Sequence, residues 1–422
     1  MSAHLLFIGG EDHHLRLPFM LALKARGYRV TAAASCGPEP FVQAGVDFQA
    51  IQFDRFISPH RDFASLRGLK KLLEKVDADV AHCFDTKLSL LVAFVARTHF
   101  RTLVVRTING RGWIYSSRSA PAIALRRIYP SLQRLAAKST IATIFQHNGD
   151  YSFFARNRLM GNSYATVISG SGIDVEGFER ARASGPSARA LREELGLGDA
   201  QVVITVTRVT RQKGIPALLK AARLVHATRP NVKFLIVGPR KGEGPFAMSD
   251  EEMARHAPYV IAAGARTDIP SLLAMADVFA FPSEYAEGVP RALMEAALSR
   301  LPIVASDIEG CREVIRDGWN GCLTPMRDPG ALAAGILSLL RDQDRATAMA
   351  SRGPETIRNT FCLDAVVARH AEVYERVLAE DRRDDRRART TSQRESLLDS
   401  RDRQCLANAA AAATQESGSQ AL

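Results

Sequence analysis

Several features that mark common protein classes are missing from this chain of 422 residues. It has no run of about 18 apolar residues, so we expect no transmembrane helix. Its first residues, MSAHLLFIGG, contain no basic segment or small-residue cleavage site, so we expect no secretory signal. Its six cysteines form no C-x-x-C pair, which is typical of reduced core thiols. These absences predict a cytoplasmic protein with at most peripheral contact to the membrane, and they argue against a periplasmic ligand-binding receptor.

The motifs of two nucleotide-binding classes are also missing. After the first apolar run the chain reads GGEDHH, without the G-x-G-x-x-G spacing that lets a backbone approach a pyrophosphate. This argues against a dinucleotide-binding dehydrogenase. Zinc-finger, basic-zipper and aromatic strand motifs are absent too, so nucleic-acid binding would rest on charge alone.

The chain carries an excess of positive charge that is confined to its first part. The net charge is +11; residues 1–182 hold 24 Lys and Arg against 14 Asp and Glu, and the remainder holds 32 against 31. A basic surface of this kind suits phosphates, nucleic acid or a membrane face. It is equally typical of a solvated face that keeps the protein soluble.

Short apolar, β-branched runs alternate with longer amphipathic segments along the chain. This pattern predicts an α/β fold with two parallel sheets. The predicted strands are 4–8, 28–34, 79–84, 102–108, 140–145 and 165–168 in the first half, and 202–206, 233–237, 259–263, 277–281 and 302–305 in the second.

Composition predicts five successive regions. These are a first domain over 1–182, a small and polar connection over 183–198, a second domain over 199–362, a helix over 363–380 that packs on the body, and a tail over 381–422. The tail has dense mixed charge followed by low complexity, so we expect it to be disordered.

The loop before residue 291 predicts an anion-binding helix start. An apolar strand ends nearby, and Gly288, Val289 and Pro290 lead into a helix that begins near Arg291, with proline at its first position. Free backbone N–H groups at Gly288 and Val289 would then face a cleft. Such a start attracts phosphates or hydroxyl-rich ligands.

Two carboxylates flank this helix start. Glu287 lies in the loop and Glu295 follows eight positions later in the helix. They could hold two ends of one ligand. Alternatively, Glu287 caps the helix and Glu295 is a solvated surface residue.

A basic loop follows the first strand of the second half. Arg208, Arg211 and Lys213 concentrate positive charge at the carboxyl end of a parallel strand, the edge where open α/β sheets bind ligands. Arginine can clamp a diphosphate and lysine adds a point charge. An ordinary basic loop is the competing interpretation.

The basic loop at 207–214 and the helix start at 287–295, in this order and at this distance, resemble the corresponding segments of the retaining nucleotide-sugar glycosyltransferases of family four. That family has the GT-B fold, in which two Rossmann-like domains with parallel sheets face a central cleft. The resemblance extends from about Leu5 to Tyr374. Its matching pieces are Gly9-Gly10, SGSGID at 169–174, TRVTRQKG at 207–214, IVGPRKG at 236–242, GARTDIPSLLAMADVFAFPS at 264–283, and the pair Glu287 and Glu295.

The resemblance implies a role for each matched residue. Arg208 and Lys213 would bind the donor diphosphate, and Glu295 the ribose hydroxyls. Glu287, as a catalytic residue, would bind the donor sugar with the amides of Gly288 and Val289. The remaining expected donor-site residues are Gly10, Gly238, Ile269 and Pro290. The family typically needs no catalytic metal, because fixed cations and helix amides can stabilise a leaving diphosphate, so we expect no cofactor.

More narrowly, the chain looks like members that extend lipid-diphosphate-linked oligosaccharides for surface polysaccharide or protein glycosylation. The segments that carry this likeness are DHHLRLPFMLAL at 12–23, AHCFDTK at 81–87, TINGRGWIYSS at 107–117, FQHNGDYSFF at 145–154 and IEGCREVIRDGWNG at 308–321. The likeness implies a UDP-linked sugar as donor and a lipid-linked sugar as acceptor. A nucleotide-sugar epimerase of related architecture and a non-enzymatic phosphate- or nucleic-acid-binding protein are the alternatives.

The same likeness implies residues on the acceptor side. Many relatives have a cleft histidine where this chain has Asn109, which we assign to positioning, with the leaving phosphate itself taking the acceptor proton. His14, Arg16, Lys87 and Arg111 would contact the acceptor diphosphate. Surface or loop-stabilising contacts are the competing interpretation for these four residues.

Two other segments each have two interpretations. The segment 118–138 interleaves basic and apolar residues, which suits a helix on an anionic membrane or a packed helix with a basic outer face. Asp77-Ala78-Asp79 looks like a D-x-D metal motif, but it enters a strand, which favours a structural role.

Overall fold

The computed structural model describes residues 2–54, 59–97, 101–117 and 119–383. Its contacts divide the chain into two units, Met1–Ala371 and Glu372–Leu422. Both β-sheets lie in the first unit. Most of the tail predicted over 381–422, from residue 384 onward, lies outside the described residues.

The first sheet has seven parallel strands in the order β3-β2-β1-β4-β5-β6-β7. The strands are β1 (His4–Gly9), β2 (Arg29–Ala34), β3 (Asp47–Ala50), β4 (Val80–Cys83), β5 (Leu103–Ile108), β6 (Ala142–Phe145) and β7 (Tyr164–Val167). The helices of this part are α1 (Leu17–Ala25), α2 (Glu39–Gln43), α3 (Pro59–Val76), α4 (Thr86–Ala96), α5 (Gly112–Ser116), α6 (Ala120–Ala137) and α7 (Asn148–Arg156).

The second sheet has six parallel strands in the order β10-β9-β8-β11-β12-β13. Two helices precede it, α8 (Val175–Ser184) and α9 (Ala188–Glu194). The strands are β8 (Gln201–Val206), β9 (Val232–Val237), β10 (Val260–Gly264), β11 (Val278–Phe281), β12 (Ile303–Ser306) and β13 (Cys322–Thr324). The other helices are α10 (Ile215–Thr228), α11 (Asp250–Ala254), α12 (Ile269–Ala274), α13 (Arg291–Leu298), α14 (Glu309–Arg312), α15 (Pro329–Arg341), α16 (Gln343–Ala350) and α17 (Gly353–Phe361). Residues 363–383 are also helical.

Both sheets are covered by helices, so their central strands are buried along their whole length. In β1 the residues from Leu5 to Ile8 are fully buried, and β11 is buried throughout. Continuous apolar strands of this kind are typical of parallel sheets with two covered faces. The prediction of two parallel α/β sheets is therefore confirmed.

The differences from the predicted elements lie at the sheet edges and in the connection. The edge strands β3 and β13 were not predicted, because β3 reads DFQA without an apolar run and β13 has only three residues. Residues 183–198, predicted as a polar connection, contain the end of α8 and all of α9, so helices join the two sheets. The domain boundaries themselves, and the packing of the helix predicted over 363–380, stay predictions.

Two expectations about membrane and redox state can be compared with the described residues. Among them, no helix has the length and apolar character needed to cross a bilayer. The five described cysteines carry no disulfide, and two of them, Cys83 and Cys311, are buried. Cys405 lies outside the described part of the chain.

Candidate active site

A cleft of about 790 Å³ lies at the carboxyl ends of both sheets. It is lined by residues that follow β1, β4 and β5 of the first sheet and β8, β9 and β11 of the second. The carboxyl edge is where open parallel sheets bind ligands. The predicted site residues that line the cleft are Gly10, Arg16, Lys87, Asn109, Arg111 and Arg208.

The predicted catalytic carboxylate, Glu287, is not among the residues that line this cleft; it follows the lining residue Tyr285 by two positions and is held by two side chains. Its Oε1 is 2.5 Å from Nζ of Lys213 and accepts a hydrogen bond of 2.6 Å from the hydroxyl of Ser283. Glu287 does not cap α13, since none of the described side chains bonds to the first amides of that helix. Pro290 occupies the N-cap rather than the predicted first helical position. The capping interpretation of Glu287 is therefore wrong.

The amides of Gly288 and Val289 are already hydrogen-bonded, which corrects the prediction that they are free. The N–H of Gly288 donates to the carbonyl oxygen of Asn109 at 3.2 Å, and the N–H of Val289 donates to Oε1 of Gln146 at 3.1 Å. Both acceptors belong to the first-sheet part of the chain. They lie more than 140 residues away in sequence, so no local pattern indicates them.

The rest of the same loop is held from the first-sheet part as well. The N–H of Ala286 donates to the hydroxyl of Ser116 at 2.6 Å, and the Ala286 carbonyl accepts from the amide of Gly112 at 3.4 Å. The carbonyl oxygen of Glu287 lies 3.2 Å from Nε2 of His147. We call residues 286–289 the Glu287 loop. Each of its four residues has a backbone bond to the first-sheet part.

Glu295 is neither solvated nor part of the cleft lining. Its side chain is 12% exposed, and its Oε1 accepts a 2.8 Å hydrogen bond from Nε of Arg291, one helical turn earlier. The guanidinium of Arg291 also donates to the carbonyl of Leu15 at 3.0 Å. The surface interpretation of Glu295 is wrong, and its contact with a ribose stays a prediction.

Two predicted donor residues, Gly238 and Ile269, do not line the cleft. Gly238 follows β9 and donates its N–H to the carbonyl of Gly264 at 2.8 Å. Ile269 is the first residue of α12 and packs against the core of the second sheet. The structure thus gives both residues local structural contacts.

Among the described residues of the second half, Arg208 is the cation that lines the cleft. Its Nη1 is 3.1 Å from Oε2 of Glu243, a carboxylate that is 7% exposed and also lines the cleft. Any anion bound by Arg208 competes with Glu243.

The end of β1 approaches an acid that the sequence did not single out. The N–H of Gly10 donates to Oδ2 of Asp85 at 2.7 Å, and both residues line the cleft. Burial raises the pKa of the Asp85 carboxyl, while the Arg16 charge and the Gly10 bond oppose the rise. Asp85 lies in the AHCFDTK segment at 81–87, two residues after the end of β4, but no role of its own was predicted for it.

The predicted acceptor residues differ in their surroundings. His14 is exposed and is not among the residues that line the cleft. Arg16 stacks over the ring of Phe84, with 4.0 Å from its guanidinium carbon to the ring centroid. Lys87 has its Nζ 2.5 Å from the carboxylate of Asp62.

Asn109 and Arg111 follow β5 at the point where the two parts of the chain meet. Nδ2 of Asn109 donates to the carbonyl of Phe84 at 2.7 Å, and its Oδ1 has no hydrogen-bond partner among the described groups. Arg111 contacts two carboxylates: its Nε lies 2.9 Å from Oδ1 of Asp150, and its Nη2 bonds to Oε2 of Glu309. These partners neutralise Arg111.

Two sets of acidic residues are candidate metal ligands, the D-x-D sequence and a cluster around His147. Asp79 of the D-x-D sequence accepts the N–H of His4 at 2.7 Å, a structural contact. His147, Asp150 and Glu309 bring ligand atoms within 4.8 Å of one another. The guanidinium of Arg111 already binds the carboxylates of Asp150 and Glu309, so the positive charge in this cluster is supplied by the protein itself.

Comparisons with known proteins agree with the fold. Residues 187–356 match the family "Glycosyl transferases group 1", and residues 19–146 match "Glycosyl transferase 4-like domain". The N,N'-diacetylbacillosaminyl-diphospho-undecaprenol alpha-1,3-N-acetylgalactosaminyltransferase of Campylobacter jejuni is 26% identical over 88% of this chain and 97% of its own length. The UDP-Gal:alpha-D-GlcNAc-diphosphoundecaprenol alpha-1,3-galactosyltransferase of Escherichia coli is 29% identical over 68% of this chain and 73% of its own.

A solved structure shares the fold. Anabaena HepE, crystallised in complex with UDP-glucose, superposes with a TM-score of 0.71 at 20% identity, over 88% of this chain and 99% of HepE. Together with this match, the two parallel α/β sheets and the cleft at their carboxyl edges identify the fold as GT-B. The chain belongs to the family-four glycosyltransferases and is an enzyme of that class. The epimerase and non-enzymatic alternatives find no support in these comparisons.

Proposed function

We propose that this glycosyltransferase moves a sugar from a UDP-linked donor to a sugar carried on a lipid diphosphate, with retention at the anomeric carbon. The observation that carries the proposal is the composition of the cleft. Arg208 and the neighbouring Lys213 supply cations from the second half, and the first half supplies both cations and apolar side chains. A nucleoside diphosphate requires cations, as the second half supplies. A lipid diphosphate requires both cations and apolar surface, as the first half supplies.

The donor diphosphate is assigned to Arg208 and Lys213. Both cations contact carboxylates in the structure, Glu243 and Glu287 respectively. A bound diphosphate would compete for the same positive charges and be stabilised by them as it leaves. Glu287 would then lie beside the donor sugar, because Lys213 holds it at 2.5 Å.

The acceptor is assigned to the first-half side of the cleft. Arg16 and Lys87 supply charge there, and Leu90, Phe94 and Leu125 line the same cavity with apolar surface. A diphosphate joined to a hydrocarbon chain needs both kinds of contact. Arg111 stays a predicted acceptor residue, although its two carboxylate partners weigh against that role.

The reaction we propose needs no separate base. The bond between the anomeric carbon and the diphosphate oxygen breaks, and the acceptor hydroxyl oxygen bonds to the same face of that carbon. The acceptor proton passes to an oxygen of the leaving phosphate, and Asn109 orients the groups involved. Fixed cations take the place of a metal in balancing the diphosphate charge, so the activity should persist in EDTA.

A lipid-linked acceptor also requires contact with a membrane, which we assign to α6. Its exposed face carries Ile123, Ile128 and Leu135, which are 48%, 54% and 38% exposed. Arg127 and Arg134 are exposed on the same helix. Apolar side chains flanked by cations suit an anionic membrane surface. We therefore propose a peripheral enzyme on the cytoplasmic face of the membrane.

The test combines donor binding with transfer. Thermal unfolding with UDP, GDP or ADP, each with and without EDTA, should show a higher midpoint with UDP that survives EDTA, since a ligand of the native state stabilises it. UDP-galactose and UDP-N-acetylgalactosamine are then incubated with a synthetic polyprenyl-diphosphate-linked sugar. A product one sugar larger supports the proposal.

The matched control uses the same acceptor sugar without its lipid diphosphate. The proposal predicts much slower transfer to this free sugar, because it lacks the groups that Arg16, Lys87 and the apolar lining would bind. Equal rates on both acceptors would contradict the acceptor assignment. A higher midpoint with GDP alone would contradict the choice of UDP.

A further inference from the structure

A chain of five charged or polar groups runs from Glu309 of α14, through Arg111, Asp150 and His147 of the first-sheet part, to the Glu287 loop. Glu309 binds Arg111, Arg111 binds Asp150 at 2.9 Å, and Oδ2 of Asp150 lies 3.1 Å from Nε2 of His147. The same Nε2 lies 3.2 Å from the carbonyl oxygen of Glu287. The imidazole of His147 is 2% exposed and Asp150 is 1% exposed. This arrangement connects one buried histidine to the backbone of the predicted catalytic residue.

The hydrogen bonds determine which nitrogen of His147 carries the proton. Nδ1 accepts the N–H of Asp150 at 3.2 Å, where it caps α7. Nδ1 is therefore unprotonated in this arrangement, and the proton is on Nε2. Nε2 can then donate to the Glu287 carbonyl, and Oδ2 of Asp150, which has no hydrogen-bond partner among the described groups, lies 3.1 Å from the same nitrogen. His147 thus has two separate functions, one at each nitrogen.

We propose that His147 is a positioning residue for the transferase reaction, holding the Glu287 loop through its Nε2–H while the backbone N–H of Asp150 holds the ring at Nδ1. The inference rests on the proposed function, because it assigns the loop to the donor sugar. His147 touches no reacting atom and acts through the backbone of Glu287. A shift of that backbone would displace the carboxylate from the donor.

Two substitutions separate the functions of the two nitrogens. His147→Asn keeps an acceptor at the position of Nδ1, and asparagine is a good N-cap, but it has no donor that reaches the Glu287 carbonyl. His147→Gln places an amide N–H near the position of Nε2 and removes the capping acceptor. A purely structural role for His147 predicts that activity follows stability in both variants.

The positioning role predicts the opposite pattern. His147→Asn should keep the thermal midpoint and lower kcat by about 3- to 10-fold, the effect of one lost hydrogen bond, with little change in the KM for the acceptor. His147→Gln should lower the midpoint by about 1–3 °C, as expected for a lost cap, and keep kcat within about 2-fold of the wild type. If kcat in the Asn variant equals that of the wild type, or if kcat follows the midpoint in both variants, the positioning role is overturned.

Hydrogen exchange of the peptide that contains residues 284–290 gives a readout that does not depend on turnover. The loop amides of the Asn variant should exchange about 3- to 10-fold faster than those of the wild type, and those of the Gln variant at close to the wild-type rate. Unchanged exchange in the Asn variant would overturn the inference. If the wild type is inactive, the proposed function is contradicted. The hydrogen-exchange comparison still tests whether His147 holds the Glu287 loop.

Discussion

Lys213 and Glu287 are joined by a contact of 2.5 Å between Nζ and Oε1, and their side chains are only 11% and 14% exposed. Lys213 follows β8 and Glu287 follows β11, so the pair connects the carboxyl ends of two neighbouring strands of the second sheet. Both residues were predicted for the donor site, from separate motifs 74 positions apart. Their pairing makes the Glu287 carboxylate sensitive to any anion that binds Lys213.

The first prediction concerns Glu287. Glu287→Gln removes the negative charge that pairs with Lys213 while keeping the size of the side chain. We expect kcat to fall by about 100-fold or more, as is found when a charge-stabilising group of an active site is removed. Thermal unfolding checks that the variant is folded.

Glu284→Gln is the matched control for this change. Glu284 lies three residues earlier and pairs with Arg327 at 2.5 Å. It should retain kcat within about 3-fold, because it pairs away from Lys213. An equal loss in both variants would show that any charge removed near this loop is harmful, and would contradict a specific role for Glu287.

The second prediction concerns the close approach of Gly110 to the Glu287 loop. Gly110 has a φ of 93°, and a Cβ there would lie 2.1 Å from the carbonyl oxygen of Ala286. Gly110→Ala should therefore displace the loop and lower both stability and kcat.

Gly27 provides the control for Gly110, since its φ is 92° and a Cβ would meet nothing within 4 Å. Gly27→Ala should lower the free energy of unfolding by about 1–2 kcal/mol, through backbone strain alone, with kcat unchanged. Urea unfolding and initial rates measure both effects. The interpretation is wrong if the two alanine variants behave alike.

The third prediction concerns three buried histidines of the first unit. Burial lowers the pKa of His13 to about 3 and that of His370 to about 4, and it lowers the pKa of His82 well below 6.5. In the unfolded chain each titrates near 6.5, so between pH 6.5 and about 3 the unfolded state binds more protons. The stability is complete above pH 6.5 and falls as the pH drops through this window.

Urea unfolding at several pH values measures this slope, to which each histidine contributes up to about 1.4 kcal/mol per pH unit. His370→Phe removes one of the three groups and should make the slope between pH 6.5 and 4 shallower. An unchanged slope in this variant would contradict the assignment to His370.

The fourth prediction concerns the membrane face of α6. Ile128→Glu should reduce co-sedimentation with vesicles that contain anionic lipid, because it places a negative charge among exposed apolar and basic side chains. Leu224→Glu is the control, since Leu224 is 44% exposed on α10 of the second half. Raising the salt concentration should weaken the binding of the wild type. Equal binding of both variants would contradict the assignment to α6.

The sequence predicted the fold well because the strands of a buried parallel sheet have continuous apolar sequences. Of the thirteen strands in the described part of the chain, eleven were placed to within about two residues. The two that were missed are edge strands: β3 reads DFQA and is partly exposed, so it shows no apolar run, and β13 has only three residues. The helices α8 and α9 were missed as structure because their sequence is small and polar.

The candidate site was predicted less completely, for a physical reason. Charged residues at strand ends, such as Arg208 and Lys213, can be recognised locally. The groups that bind the Glu287 loop, including Gln146 and His147, contact it only because the fold brings together segments 140 or more residues apart. The same long-range contacts explain why the amide of Val289 was wrongly predicted to be free.

The most direct test of the central claim is the anomeric configuration of the product made with EDTA present. Purified enzyme, a UDP-α-linked hexose and a polyprenyl-diphosphate-linked sugar are incubated, and the coupling at the new anomeric centre is measured by NMR. Retaining, metal-independent transfer predicts an α-linked product, formed at the same rate with and without EDTA. A β-linked product, or loss of the activity in EDTA that Mg²⁺ restores, would contradict the account.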